Sequence, residues 1–533
     1  MTLKSRSNAY WDKRAMERMD KYHRSADSTV KTVSAAYDKA QKDLQLEIDK
    51  IFEVFGANGQ ITPEKARKIL NQKVPNPLLN LAKIIYPKIK DPRIKRWMLT
   101  RMNAPAYRAR ITRLEALKET IFLQSKAIAD AEIQASTVGY MKTINDAYYR
   151  TMFDIQRGLG VGFEFAVMPS STVESILKNP WSGEHFSQRV WGNTDVLASQ
   201  ITEVITAGFM AGTGTVKMAR ELAERMNVGK HAANRLIRTE TTYMANAAEM
   251  ESYVEAEIDE YMFRAVLDKR TSTICQKQDG KVHKVKNAKA GVNMPPMHVF
   301  CRSTTRAYFG PKTLEGVQRR ARDPVTGKTE LIPASMNYEQ WYKEKVEKHG
   351  EQKLTAEQKK LKNKASDKLQ YEKIKATIGR QGPKSLSAFQ EMKYNNEKEY
   401  GLLKDYTKSR ESNMISAHTS FDGYLAYKDR IEKELVGITT KGGTVIKSQS
   451  KHFIERVFGT SEDPLTKRSR NGVSLEEIKG ALLNGEVKIN KRASNSIKYL
   501  GATCEVSVNP ETGNLIQVNP ISSRRGTGET KKR

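Results

Sequence analysis

The residues best suited to chemistry lie near the middle of the chain. Cys275 stands in TSTICQKQDGK (271–281), and His298 and Cys301 stand in GVNMPPMHVFCRSTT (291–305). Thiolate and imidazole are the usual ligands of zinc, and a structural zinc takes four ligands, often as two close pairs. Here only His298 and Cys301 form a close pair. Cys275 supplies a third donor, and His283 or Asp279 a fourth. The same residues suit a metal-free role, because a buried thiol packs as a small apolar side chain. Both readings stay open on the residues alone. A second group lies towards the C-terminus, in SKHFIERVFG (450–459). This stretch reads as an amphipathic helix and puts His452 and Arg456 one turn apart on one face. Histidine titrates near neutral pH and can move protons, and arginine stabilises anionic charge. A third group is Arg238, Thr239 and Glu240. Charges two apart do not face each other on a helix, and neither a nucleophile nor a second carboxylate accompanies them. They read as bracing a helix against the cysteine segment.

The elements that must position these groups follow from pattern and punctuation. Residues 1–160 read as a helical region. In 30–55, Val33, Tyr37, Leu44, Ile48 and Ile51 recur near helical spacing, and Gly56 and Gly59 end the run. Thr62 caps the next helix, with Pro63 at its first position. A long amphipathic pattern over 105–157 ends near Gly158 and Gly160. Residues 196–219 suit a buried helix and turn, and 226–229 read as a loop before the Arg238 helix. From 260 the pattern turns β-like. Asp279-Gly280 is a hairpin signal, and Pro295 and Pro296 favour extended backbone before them. Residues 260–310 therefore read as a β-hairpin platform that brings Cys275 near His298 and Cys301. Residues 161–345 form one core region with this platform inside it. Residues 346–412, rich in Lys, Glu and Gln, read as a charged helical linker. Residues 413–525 read as a small α+β domain. In it Ser474 and Glu477 form a capping box, Gly485 ends the helix, and two alternating strands flank the turn at 510–514. Residues 526–533 are a basic tail. The fold class expected is α+β, mainly helical at the N-terminus.

Composition bounds the partners. The 533 residues carry 91 Lys+Arg against 61 Asp+Glu, a net charge of +30. That balance favours polyanions, chiefly double-stranded DNA bound without sequence preference. Three cysteines argue against a disulfide framework and for a reducing cytosol. No apolar run is long enough to span a membrane, and the first residues lack the apolar stretch of a signal peptide.

The ordered run of Cys, Asp-Gly-Lys, Gly-Val-Asn, Pro-Pro, His and Cys-Arg-Ser resembles the signature of the phage minor head, or Mu F-like head morphogenesis, proteins. RLIRTETTYMANAAEMESYVEAEIDEYMFRAVLDKRT (235–271) is similar to the family's Arg-Thr-Glu helix and Asp-x-Arg-Thr strand. WSGEHFSQRVW (181–191) and 37–70 resemble further family segments, so the likeness covers roughly 1–345. It implies a protein of the virion, made in the host cytoplasm and held in the capsid interior near the portal vertex. The implied partners are portal, scaffold and major capsid proteins, with packaged DNA that the protein accompanies. Many members have a second cysteine where this chain has Gln278. No cofactor is implied beyond a zinc ion at the cysteine segment. Residues 413–525 resemble phage-associated nucleases of the barnase–EndoU–colicin–RelE-like group, which cleave RNA without metal. That resemblance implies His452 as acid/base, Arg456 or Lys498 as charge stabiliser, and Ser522 or Thr512 as phosphate-orienting groups. The alternative function is thus a toxin-like ribonuclease carried on a head-protein chassis.

Overall fold

The computed structural model describes residues 8–56, 62–74, 78–103, 111–160, 162, 164–310, 318–416, 418–460, 470–489 and 495–521. The chain divides into two compact units, Met1–Lys348 and His349–Arg533. Helices with small separate sheets make it α+β.

The first unit is built on long helices. They are α1 (Asn8–Gly56), α2 (Pro63–Leu70), α3 (Leu78–Ile85), α4 (Pro92–Asn103), α5 (Arg113–Leu159), α6 (Ser170–Lys178), α7 (Phe186–Met210) and α8 (Thr215–Glu255). A two-stranded ladder of β1 (Lys73–Val74) and β2 (Ile111–Thr112) lies among them. The starts and stops follow local chemistry. The Thr62 hydroxyl accepts from Lys65 N, with Pro63 at the first position of α2. Thr112 and Glu115 form a capping box at α5, and Gly160 closes it at φ 71°. Val33, Tyr37 and Leu44 of α1 share one core with Ile121 and Ile128 of α5, Leu197 and Ile201 of α7, and Met226 and Ile237 of α8. The boundary expected near residue 160 therefore runs through a single packed bundle.

The loop expected at 226–229 is helix. α8 runs unbroken through Gly229, and a Cβ there would come within 2.6 Å of the Tyr37 ring. The glycine serves close approach of α1 rather than a turn.

After α8 come β3 (Glu260–Arg264), α9 (Thr273–Gln278), β4 (Val282–Lys284) and β5 (Thr304–Ala307). β3 is central, antiparallel to both β4 and β5. Consecutive β3 residues Tyr261, Met262, Phe263 and Arg264 are all buried, so the strand is covered on both faces. The platform differs from the expected hairpin. Asp279 ends helix α9, and Gly280 (φ 81°) turns the chain out of it. The Asp279 carboxylate is buried, accepting from Ala265 N at 2.8 Å and paired with Arg319 at 2.8 Å. A hairpin of β6 (Gln318–Arg322) and β7 (Thr329–Pro333) and helix α10 (Tyr338–His349) close this part around the fully buried Trp341.

The second unit contains α11 (Glu351–Lys362), α12 (Lys364–Ile378), α13 (Leu386–Asn395), α14 (Glu397–Glu411), α15 (Phe421–Glu434), β8 (Ser448–Gln449), α16 (Lys451–Val457), α17 (Leu475–Asn484), β9 (Glu486–Ile489), β10 (Ile497–Leu500), β11 (Cys504–Val508) and β12 (Asn514–Pro520). The sheet order is β8-β12-β11-β10-β9, antiparallel except for β8 on β12. Ser474 and Glu477 form the capping box of α17. The linker expected over 346–412 is instead folded structure. Ile374, Phe389, Leu403 and Tyr406 join Tyr424, Phe453, Ile478, Tyr499, Val506 and Val518 in one core. Each such side chain, fully buried, contributes ~1.5–3 kcal/mol. Sparse apolar positions among many lysines hid this, because each short helix buries only a narrow stripe. Among the described residues no helix is long and apolar enough to cross a membrane.

Candidate metal centre

Three tethers position the Cys275, His298 and Cys301 side chains. Ser272 caps α9, its hydroxyl accepting from Cys275 N, which sets Cys275 in the first turn facing inward. The loop before β5 passes through Phe300 at φ 57°, a strained conformation for a bulky residue. Helix α8 holds it there. Phe300 N donates to Thr239 Oγ1 at 3.1 Å, and Thr242 Oγ1 donates to the Cys301 carbonyl at 2.9 Å. β5 then anchors the loop on β3.

The result is a compact donor set. Cys275 Sγ lies 3.3 Å from His298 Nε2 and 3.7 Å from Cys301 Sγ. One ligand atom from each residue falls within 4.8 Å of the others. Both cysteines are buried, and the His298 Nδ1 side is held by the Val299 carbonyl at 2.7 Å. The two thiols shift in opposite directions. The Cys275 thiol and the His298 ring beside Cys301 hold its pKa well below the usual thiol range. The Cys301 contact and burial push Cys275 up. His298 is raised, chiefly by its hydrogen bond to Cys301. Metal binding would take the cysteines as thiolates and His298 as the neutral imidazole.

Two thiolates and an imidazole fit zinc on three sides. Neither residue expected as the fourth ligand joins them. Asp279 is committed to Arg319 and Ala265. His283 sits on β4 against the Tyr261 ring, with centroids 5.7 Å apart. The Gln278 amide donates to the Val292 carbonyl.

Of the Arg238-Thr239-Glu240 group only Thr239 reaches this loop, and the two charges pair elsewhere. Arg238 pairs with Asp27 of α1. Glu240 is buried, accepting from Trp181 Nε1 at 3.0 Å and facing Arg189 at 3.5 Å. Burial raises its pKa. Trp181 stacks on Tyr243 with centroids 5.4 Å apart. The segment 181–191 and the Arg238 helix, far apart in sequence, are thus one structure. His23 of α1 is a neighbour that sequence reasoning missed. Its Nε2 lies 3.2 Å from Thr242 Oγ1, and burial, then Arg238 and Arg302, lower its pKa to about 4. No local pattern marks His23, because only the packing of α1 on α8 brings it there.

Deeper in the unit, buried charges tie α1 to the platform. Asp12 meets Arg264 at 2.5 Å and Arg306 at 2.9 Å. Arg18 pairs with Asp154 and, at 3.2 Å, with Glu249.

The second candidate group is not gathered in the same way. His452 and Arg456 share α16, and His452 Nδ1 lies 3.5 Å from Glu455, whose other oxygen bonds Ser409. Tyr499 of β10 enters the core with Phe453 and Val457 of α16, so its neighbour Lys498 projects to the other face of the sheet. There Lys498 pairs with Glu505 at 2.6 Å. Strand alternation thus sets Lys498 on the face of the sheet away from α16. Thr512 is exposed in the β11–β12 turn, its N–H bonded to Asn509 Oδ1. Ser522 lies outside the described residues.

Residues 199–306 match the family model described as Phage Mu protein F like protein. The matched span holds α8, β3, α9, β4 and most of β5, and with them the whole Cys-His centre. The chain is 24% identical over 349 residues to the minor head protein GP7 of Bacillus phage SPP1, covering 62% of this chain and 97% of that protein. It is 22% identical over 231 residues to the NAD(+)--arginine ADP-ribosyltransferase EFV of Enterococcus faecalis, covering 40% of this chain. It spans 46% of the length of that transferase. No solved structure matches.

Proposed function

We propose that this chain is a phage minor head protein that joins the procapsid through residues 1–348. The observation that carries the reading is the Mu F-like match over 199–306, whose residues converge on one tertiary centre. The likeness to a minor head protein over nearly all of that protein's length supports it. In this reading the protein stands in the capsid interior near the portal vertex, with portal, scaffold and major capsid proteins as partners. Its role is binding and positioning. The +30 charge suits packaged double-stranded DNA, contacted through phosphates and without base readout. The Cys-His centre ties the 291–305 loop to α9, and zinc is the ion its donors fit. Cys275, His298 and Cys301 would hold that ion, which would supply a cross-link rather than a reaction.

Co-expression with the head genes of a tailed phage tests the assignment. A chain ending at residue 348 enters purified procapsids, and one starting at 349 does not; the reverse overturns it. DNA affinity falls steeply with salt, log K dropping by about 0.9 per log unit of salt for each phosphate neutralised. A flat salt response counts against DNA contact. Elemental analysis decides the metal: about one zinc per chain, lost in Cys301→Ser, is the expected result.

A further inference from the structure

Among the described residues the five-stranded sheet of the second unit ends on β9, which is paired on one side only, with β10. All four of its residues are exposed. Val487 is 39% exposed and Ile489 79%, large values for apolar residues on a strand. By strand alternation these two share one face, and Glu486 and Lys488 share the other. Lys488 Nζ lies 3.1 Å from Glu486 Oε2, so the two charges stand side by side at the edge. An edge strand turns a row of N–H and C=O groups outward, which is a template for another strand.

We propose that β9 pairs antiparallel with β9 of a second copy of this chain, with Val487 opposite its counterpart across a twofold axis. The residue order Glu-Val-Lys is what selects this partner and this register. With Val487 on the axis, Glu486 of each copy faces Lys488 of the other, and the two ion pairs arise by symmetry. Centring on Lys488 sets lysine against lysine, and centring on Glu486 sets glutamate against glutamate. Only the valine-centred pairing turns both charges into attractions, and it also packs the exposed valines on each other. Antiparallel pairing allows a twofold axis between any directly opposed residues, so either hydrogen-bonding alternation of β9 satisfies it. The two sheets then continue as one. The positive charge of both copies does not forbid this, because exposed charges are screened beyond roughly 8 Å at physiological salt. The inference does not rest on the head-protein reading.

The test uses the full chain and two single variants, Lys488→Glu and Glu486→Lys, both on an exposed strand. Sedimentation velocity over a concentration series shows a reversible dimer for the parent chain. Each variant alone replaces two attractions with two repulsions and weakens self-association about tenfold or more. Mixing the two variants restores it, since glutamates of one then face lysines of the other. Val487→Cys gives a symmetric disulfide dimer under oxidised glutathione; Cys275, Cys301 and Cys504 are buried and leave the background low. A chain that stays monomeric, with no Val487→Cys dimer, overturns the proposal and leaves the edge to a strand of another protein. Self-association that ignores both charge variants, or a mixture no tighter than its components, overturns it as well.

Discussion

The two units solve the same packing problem with different means. Both cover a small sheet with helices, yet the first buries a chain of ionisable groups. Asp12, Arg18, Asp154, Glu249, Arg264 and Arg306 all lie inside it. The core of the second is mainly apolar and aromatic, from Ile374 to Val518, with Asp367 and Glu455 its buried carboxyl groups. The first unit also gathers its chemistry: Cys275, His298 and Cys301 meet although separated in the chain. The second leaves His452 on a helix and Lys498 on the far face of the sheet. A motif is informative when tertiary packing brings its residues together, and a shared helix face alone is a weaker sign.

Tryptophan fluorescence separates the two units, because all five tryptophans lie before residue 348. Circular dichroism reports both. The largest effect expected is in the first unit. Asp12→Ala leaves Arg264 and Arg306 buried without their carboxylate and costs about 3–5 kcal/mol. The fluorescence-detected urea midpoint falls; an unchanged midpoint would break the contrast between the units. In the second unit, Phe453→Ala costs about 3–5 kcal/mol by opening a cavity. It shifts the dichroism transition and leaves the tryptophan transition in place.

A pH effect sharpens the contrast further. Glu132 of α5 is buried with Tyr37 3.5 Å away, and burial lifts its pKa to about 8. The fold therefore favours the protonated acid. Its stability is complete below the ordinary carboxyl range and is lost as pH rises from ~4.5 to ~8, by an amount on the order of a few kcal/mol. Glu132→Gln flattens this slope in fluorescence-detected unfolding between pH 5 and pH 8.5. His23 acts in the opposite sense. Its lowered pKa means that stability is lost as pH falls from about 6.5 through about 4.

Smaller effects follow. Gly229→Ala forces a methyl group onto Tyr37 and costs about 1–3 kcal/mol. A loop at 226–229 would tolerate it, so a neutral result would restore that reading. His452→Ala changes stability by less than about 0.5 kcal/mol, since the ring is partly exposed and its carboxylate contact is long. Metal-free RNA cleavage that disappears in this variant would revive the ribonuclease reading.

Local chemistry was legible in the residues themselves. Thr62, Ser474 and Gly160 mark helix ends because capping involves a few neighbouring backbone groups. The Cys-His group was legible because its residues sit in one short, punctuated segment. Asp279-Gly280 was misread, since the same pair that makes a hairpin also ends a helix. Which role it takes depends on Arg319, forty residues on. The lysine-rich helices at 351–411 looked like a linker because a helix with one buried residue per turn has no strong local signature.

The sequence by itself determined the helix ends at Thr62, Gly160 and Ser474, the α+β class, and the three residues that could together hold a metal. Those features depend on neighbours along the chain. Only the tertiary structure decided that Gly229 admits α1, that His23 lies beside the cysteine loop, and that Lys498 faces away from His452. Each of these depends on long-range packing, where a side chain's surroundings are supplied by residues tens or hundreds of positions away.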